Sequence, residues 1–126
     1  MEKVNLVVSG ENKGHYTSGI ISQGLLFVSG QLSLNLDTRE VANGGVREHM
    51  RQALTNLGRV LEAAGLSSKD VVQCRVYIVG IDNWDEINEE YAAFFGEHKP
   101  ARIVVSASEL HFGCLVEIEA IAECHS

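Results

Sequence analysis

Two charged side chains near the end of the chain are the strongest candidates for chemistry. The segment PARIVVSASELHFGCLVEIEAIAE, residues 100–123, has the pattern of two strands around a turn, yet Arg102 opens the first strand and Glu117 interrupts the second. A guanidinium can bind a small carboxylate through two parallel hydrogen bonds, and a glutamate beside it can orient or deprotonate a water. The pair would therefore suit a small anionic substrate.

Composition alone favours a simpler interpretation of the same residues. Glu117 and Glu119 would lie on the solvated face of an antiparallel sheet, and Arg102 would balance their charge. Periodicity does not decide between the two interpretations, so both stay open at this point.

The sequence lacks the motifs that are typical of metal, cofactor and thiol chemistry. The sequence has no G-x-x-x-x-G-K loop, H-E-x-x-H, G-x-S-x-G or dinucleotide fingerprint. Three cysteines form no C-x-x-C pair, and Cys74, in an apolar run, is predicted to be an inert packing residue. We expect neither a metal nor a cofactor, because no metal-ligand spacing connects the five histidines, His15, His49, His98, His111 and His125.

Length and charge limit the class of protein. The 126 residues, 45% of them hydrophobic and 21% charged, predict a single domain over residues 1–126. No apolar run is long enough to cross a bilayer, and the apolar core of the N-terminal segment is too short for a signal peptide, so we expect a cytoplasmic protein with reduced thiols. The net charge of -7 disfavours nucleic acid as a partner, because it repels a phosphate backbone.

Two amphipathic helices are predicted. The segment NGGVREHMRQALTNLGRVLEAAGLS carries apolar residues at helical spacing, with Asn43 as the cap at its start and Gly65 at its end. The segment DNWDEINEEYAAFFGEHKP predicts a second helix that begins after Asp82 or Asn83 and ends at Gly96. Its stripe of apolar residues is expected to pack in the core: Trp84, Ile87, Tyr91, Phe94 and Phe95.

Strand patterns surround the helices and predict an α+β fold. The runs KVNLVVS, GLLFVSGQLSLN, DVVQCRVYIVG, ARIVVSAS and CLVEIEAIAE are rich in Val and Ile. We expect a mixed sheet with both helices packed on one face, and hairpins formed by the first strands and by the last two. In the last run Val116, Ile118, Ala120 and Ala122 should point one way and Glu117, Glu119, Ile121 and Glu123 the other. That second face is then either exposed to solvent or part of a functional site, and other subunits could cover it.

Taken together, these segments resemble the RidA/YjgF family, also labelled endoribonuclease L-PSP or translation initiation inhibitor. The resemblance rests on HYTSGI with GLLFVSGQ, RQALTNLGRVLEAAG, NEEYAAFFGEHKPAR, and PARIVVSASEL with VEIEAIA. The best-studied members are enamine and imine deaminases. The resemblance implies the chorismate-mutase-like/YjgF fold, a homotrimer with a barrel-like core, and substrate sites in clefts between subunits.

The resemblance also assigns roles to individual residues. It implies Arg102 as the clamp for the substrate carboxylate and Glu117 as the catalytic residue that positions water. Pocket positions fall on Tyr16, Ser29, Gly30, Ile103 and Val104, with the backbone at Val104 contacting the substrate nitrogen. The sequence departs from the family pattern at Ile103, where a small residue is usual, at Val104, where cysteine is common, and at His15, Ser18 and His111.

Several functions follow as hypotheses. The leading one is a deaminase that hydrolyses 2-aminoacrylate or 2-iminopropanoate to an α-keto acid and ammonia, a reaction that needs positioning and modest proton transfer. A sibling hydrolase acting on an aminoacrylate derivative, motivated by Ile103, and a non-catalytic binder of small carboxylates are alternatives. A ribonuclease or translation inhibitor is disfavoured by the acidic charge and by the lack of a basic and aromatic run.

Overall fold

Six strands form one mixed sheet in the computed structural model, which describes residues 1–9 and 14–125, and two helices cover one of its faces. In chain order the elements are β1 (Glu2–Val4), β2 (Gly19–Ser22), β3 (Leu25–Leu32), α1 (Val46–Ala63), β4 (Val71–Val79), α2 (Trp84–Phe95), β5 (Ala101–Ala107) and β6 (Val116–Glu123). Short 3-10 turns precede β4, α2 and β6. The predicted α+β class, with a mixed sheet and two helices on one face, is confirmed.

The strand order differs from the prediction at the end of the chain. Across the sheet it is β1-β2-β3-β6-β4-β5, so β6 lies between β3 and β4 and β5 forms an edge. The pair β4 and β5 is parallel with α2 as its crossover, whereas β6 is antiparallel to both of its neighbours. The predicted hairpin of the last two strands is therefore wrong. Alternation tells which face a residue occupies but not which strand lies beside it.

The predicted strand runs near the N-terminus are too long. Only Lys3 and Val4 of the KVNLVVS run lie in the three-residue strand β1, and β2 is a separate strand that the pattern did not reveal. Strands β2 and β3 form an antiparallel hairpin through Gln23 and Gly24, both with positive φ (55° and 75°). Such a two-residue turn matches the twist of the strands it connects. A hairpin therefore forms among the first strands, but the partner of β3 is β2 and not the KVNLVVS run.

Helix α1 forms where it was predicted, but it starts later than expected and buries two polar side chains. Gly45 is its cap residue instead of Asn43, and the Glu48 carboxylate accepts a hydrogen bond from the Gly45 N–H at 2.9 Å. Asn56 is buried despite its polar side chain and donates to the carbonyls of Leu32 and Leu34. His49 is also buried. Both residues form hydrogen bonds with polar groups beneath the helix. A periodic pattern of apolar residues does not predict such buried polar side chains.

The two faces of the sheet are chemically distinct. The alternation predicted for β6 is confirmed, because Val116, Ile118, Ala120 and Ala122 are buried beneath the helices while the glutamates lie on the other side. We call that other side the open face. It exposes large apolar side chains beside charged ones, including Phe27, Ile103 and Val105. Within the described ranges, no helix combines the length and the apolar character that crossing a membrane requires.

Candidate functional site

Glu117 lies on the open face of the sheet, against the backbone of Gly30. Strand β3 has a bulge between Val28 and Gln31 where it pairs with β6, and this bulge contains Gly30. A Cβ at Gly30 would lie 2.6 Å from Glu117 Oε2. Glycine is thus the residue that leaves room for the carboxylate, which accepts no hydrogen bond from any other described residue.

The environment of Glu117 favours its protonated form. Partial burial raises the pKa of the carboxyl above its ordinary value, the charge of Glu119 raises it further, and His111 opposes both. A raised pKa makes the carboxylate of Glu117 a stronger base, which favours general acid–base catalysis.

A neighbouring network fixes Glu119. The Tyr77 hydroxyl donates to Glu119 Oε1 at 3.0 Å, and Arg75 Nη1 reaches the same oxygen at 3.4 Å. Arg75 thus pairs with one of the two acids on this face, Glu119. The simpler interpretation, in which Arg102 has that role, is wrong, because Arg102 pairs in register with buried Cys74 and lies on the helix side of the sheet.

The bulge is tied to the loop that carries Tyr16. The Ser29 hydroxyl donates to the Thr17 carbonyl at 2.6 Å, and the Ser29 N–H donates to the Ser18 carbonyl at 3.0 Å. Tyr16, one residue before this contact, has 54% of its surface exposed. These bonds extend the pairing of β2 and β3 and place the backbone next to Tyr16 beside Ser29. We call Tyr16, Ser29, Gly30 and Glu117 the acid half-site.

Arg102, on strand β5, lies in a different environment, against helix α2. Its Nη1 donates to Asn88 Oδ1 at 2.9 Å, and its Cζ lies 4.8 Å from the ring centroids of both Trp84 and Tyr91. No carboxylate in the described part of the chain lies within 4.0 Å of the guanidinium. We call these four residues the arginine half-site. The guanidinium contacts two aromatic faces and one amide, which are all uncharged, so its positive charge is not neutralised.

The prediction that Trp84 belongs to the core is only partly right. Ile87, Tyr91 and Phe95 are buried as expected, but Trp84 is 39% exposed and its ring faces Arg102. Sequence reasoning also missed Asn88. The available signal was the spacing of Trp84, Asn88 and Tyr91, four and three residues apart, which aligns them on one side of a helix.

The two half-sites do not meet within one chain. Arg102 pairs with Cys74 of β4 and Glu117 pairs with Tyr77 of the same strand, so they lie two strands and three residues apart. Strand spacing and rise place their Cα atoms about 14 Å apart, on opposite faces. One small molecule cannot bridge them through the sheet, so a site that uses both residues requires a second chain.

The remaining predicted pocket residues, Ile103 and Val104, lie on strand β5. Val104 is half-buried on the helix side with Arg102, whereas Ile103 points to the open face and is 51% exposed. Because β5 pairs only with β4 in the part of the chain that the structure describes, half of its backbone donors and acceptors point away from the sheet. The edge of β5 is therefore able to offer backbone groups to a ligand.

Cys74 has the character that its apolar surroundings predict. It is fully buried, and burial raises the pKa of its thiol to about 11, so the unreactive thiol form predominates. Among residues 1–9 and 14–125, no three His, Cys, Asp or Glu side chains come together in a way that could hold a metal ion.

Comparison with known proteins identifies the family. The family model described as Endoribonuclease L-PSP matches residues 9–124. The chain belongs to that family. The resemblance to RidA/YjgF seen in the sequence motifs is thereby confirmed, since L-PSP is another label of the same family.

Individual members of the L-PSP family match along most of the chain. A RutC family protein from Pyrococcus horikoshii is 41% identical over 109 residues, 86% of either chain. The human 2-iminobutanoate/2-iminopropanoate deaminase is 33% identical over 109 residues, 86% of this chain and 80% of the human one. The crystal structure of E. coli TdcF with bound serine superposes with a TM-score of 0.91 at 30% identity, covering 99% of this chain and 100% of that one.

Proposed function

We propose that the protein hydrolyses imines of small α-keto acids, such as 2-iminopropanoate, to the keto acid and ammonia. The observation that carries the proposal is the guanidinium of Arg102, which is fixed in place but lacks a carboxylate partner in the described chain. An arginine prepared in this way suits a substrate that brings its own carboxylate. The deaminase names of family members, the human one among them, agree with such a substrate.

Glu117 supplies the proton transfer in this proposal. Its carboxylate takes a proton from the water whose oxygen bonds to the imine carbon and passes that proton to the imine nitrogen, which gives a tetrahedral carbinolamine. The carboxylate then takes the proton of the new hydroxyl and passes it to the amine nitrogen, the C–N bond breaks, and ammonia leaves while the oxygen becomes the keto oxygen. The raised pKa of Glu117 suits both transfers, because a more basic carboxylate is a better proton acceptor.

The assembly we propose is a cytoplasmic homotrimer with each site between two chains. Arg102 of one chain would face Glu117, Gly30, Ser29 and Tyr16 of its neighbour. The separation of the half-sites within one chain supports this arrangement, and so do the apolar side chains on the open face, which a second chain would cover.

Activity is tested with 2-aminoacrylate produced in situ from serine by a PLP-dependent dehydratase. Imine loss and pyruvate formation are followed with wild type, Arg102→Ala and Glu117→Ala. We expect wild type to accelerate hydrolysis and both variants to lose most of that acceleration. A folded wild-type protein that leaves the rate of imine hydrolysis unchanged would refute the proposal.

Mixing the two inactive variants tests the division of the site between chains. Co-refolding Arg102→Ala with Glu117→Ala in equal amounts leaves about one interface in four with both intact residues, if chains combine at random in a ring. Activity should return to about a quarter of the wild-type value. A mixture that forms mixed oligomers, shown by native mass spectrometry of a tagged chain, yet stays inactive would place both residues in one chain's site.

A second candidate is a non-catalytic binder of small carboxylates. The structure of TdcF with bound serine favours it, because serine carries a carboxylate and the chain is similar to TdcF over nearly its full length. Calorimetric binding of serine that depends on Arg102, in a protein without imine hydrolysis, would support this candidate over the deaminase.

A further inference from the structure

None of the carboxylates of helix α2 forms an ion pair with Arg102. The helix carries four carboxylates, and Glu89 and Glu90 pair with Arg47 and Arg51 of α1 instead. In a chain with net charge -7, four of the other five arginines have a carboxylate of a described residue within 4.0 Å: Arg47, Arg51, Arg59 and Arg75. Arg102 instead donates to an amide, that of Asn88.

An amide and a carboxylate at this position would have opposite consequences. The Asn88 oxygen accepts one hydrogen bond from Arg102 at 2.9 Å and fixes the guanidinium without cancelling its charge. The rings of Trp84 and Tyr91, each 4.8 Å from Arg102 Cζ, restrict the same group from two sides and are also neutral. A carboxylate in place of the amide would occupy the guanidinium and compete with a ligand.

We infer that Asn88 is a positioning residue that orients Arg102 while keeping its full charge available for the substrate carboxylate. The inference rests on the proposed function, since it explains how the arginine half-site stays ready for an anionic ligand. It predicts preference for small carboxylates over neutral analogues of the same shape, and it assigns that preference to an uncharged side chain.

Asn88→Asp is the sharpest test, because it keeps the shape of the side chain and adds one carboxylate beside Arg102. Binding of 2-oxobutanoate, a product analogue, is measured by calorimetry, and unfolding by urea titration. We expect binding at least tenfold weaker, with the urea midpoint unchanged or higher because a new ion pair forms. A purely structural role would instead lower the urea midpoint and the affinity together.

Two controls separate the possible failures. Ala93→Asp adds the same charge to an exposed position of α2 that points away from Arg102, and it should bind 2-oxobutanoate like wild type. Arg102→Ala reports on the clamp itself. If Arg102→Ala binds like wild type, the proposed function fails and the inference with it. If Arg102→Ala loses binding while Asn88→Asp keeps it, or if Ala93→Asp weakens binding equally, the inference is overturned and the clamp stands.

Discussion

Replacement of Gly30 by alanine should separate stability from activity. The added Cβ would lie 2.6 Å from Glu117 Oε2 and 3.2 Å from its Cδ, whereas ordinary van der Waals contact begins near 3.4 Å. The carboxylate must therefore retreat by about 0.8 Å. Because Oε2 is the far end of a flexible side chain, Glu117 can turn aside without moving the strand.

The two measurable effects then differ in size. Turning the Glu117 side chain away from its preferred rotamer costs about 1 kcal/mol, which the lower chain entropy of alanine in the unfolded state offsets by a similar amount. We expect the free energy of unfolding to change by less than about 1 kcal/mol. The kcat for imine hydrolysis should fall by about 10- to 100-fold, since a displacement near 1 Å removes a catalytic group from its position.

Gly19→Ala is the matched control on the neighbouring strand. Its Cβ would meet the Phe27 backbone carbonyl at 3.2 Å and Leu26 Cδ1 at 3.0 Å, in a core that cannot yield as easily. It should destabilise the protein by about 1–3 kcal/mol and leave kcat of the folded fraction unchanged. The reasoning fails if Gly30→Ala unfolds as easily as Gly19→Ala, or if Gly30→Ala retains full kcat. It also fails if Gly30→Ala lowers stability equally in a Glu117→Ala background, where no carboxylate is present to clash.

Three further predictions concern titration and reactivity. Glu119→Gln removes a charge that raises the pKa of Glu117, so the acid limb of the kcat/KM profile should move to lower pH; an unmoved limb would exclude Glu117 as the titrating group. Burial lowers the pKa of His49, so stability should fall as pH drops below 6.5, where the unfolded chain binds a proton that the folded chain resists. His49→Gln should flatten this dependence in urea unfolding at pH 5 and pH 8, and a wild type equally stable at both values would contradict it. A maleimide at pH 8 should label half-buried Cys124 well before buried Cys74 in the native protein, as peptide mapping would show; equal labelling would contradict the burial of Cys74.

The sequence predicted which residues share a face better than which strands are neighbours. The period of two in β6 placed Val116 under the helices and Glu117 opposite, because burial imposes that alternation directly. The insertion of β6 between β3 and β4 depends on contacts between distant segments, which no local pattern encodes. For the same reason the hairpin expected from β5 and β6 did not form.

The candidate site shows a similar division. Arg102 and Glu117 were recognisable because each is a charged residue within an apolar strand. Their separation by fifteen positions suggested that the two side chains lie close together, but the strand register places them apart. Asn88 escaped notice because an exposed amide on a helix is ordinary in sequence. Its significance appears only when the fold brings it within 2.9 Å of the guanidinium.

The electrostatics of the two half-sites also indicate why assembly would matter to the chemistry. In one chain the carboxyl of Glu117 is half-buried and its pKa is already raised, chiefly by loss of solvent. A second chain on the open face would remove more water and raise this pKa further, while an approaching guanidinium from that chain would lower it. The proton affinity of Glu117 would thus depend on how closely Arg102 of the neighbour approaches. A mixed oligomer in which that neighbour carries Arg102→Ala should therefore show a higher apparent pKa for Glu117, measurable by carbon NMR of a labelled side chain.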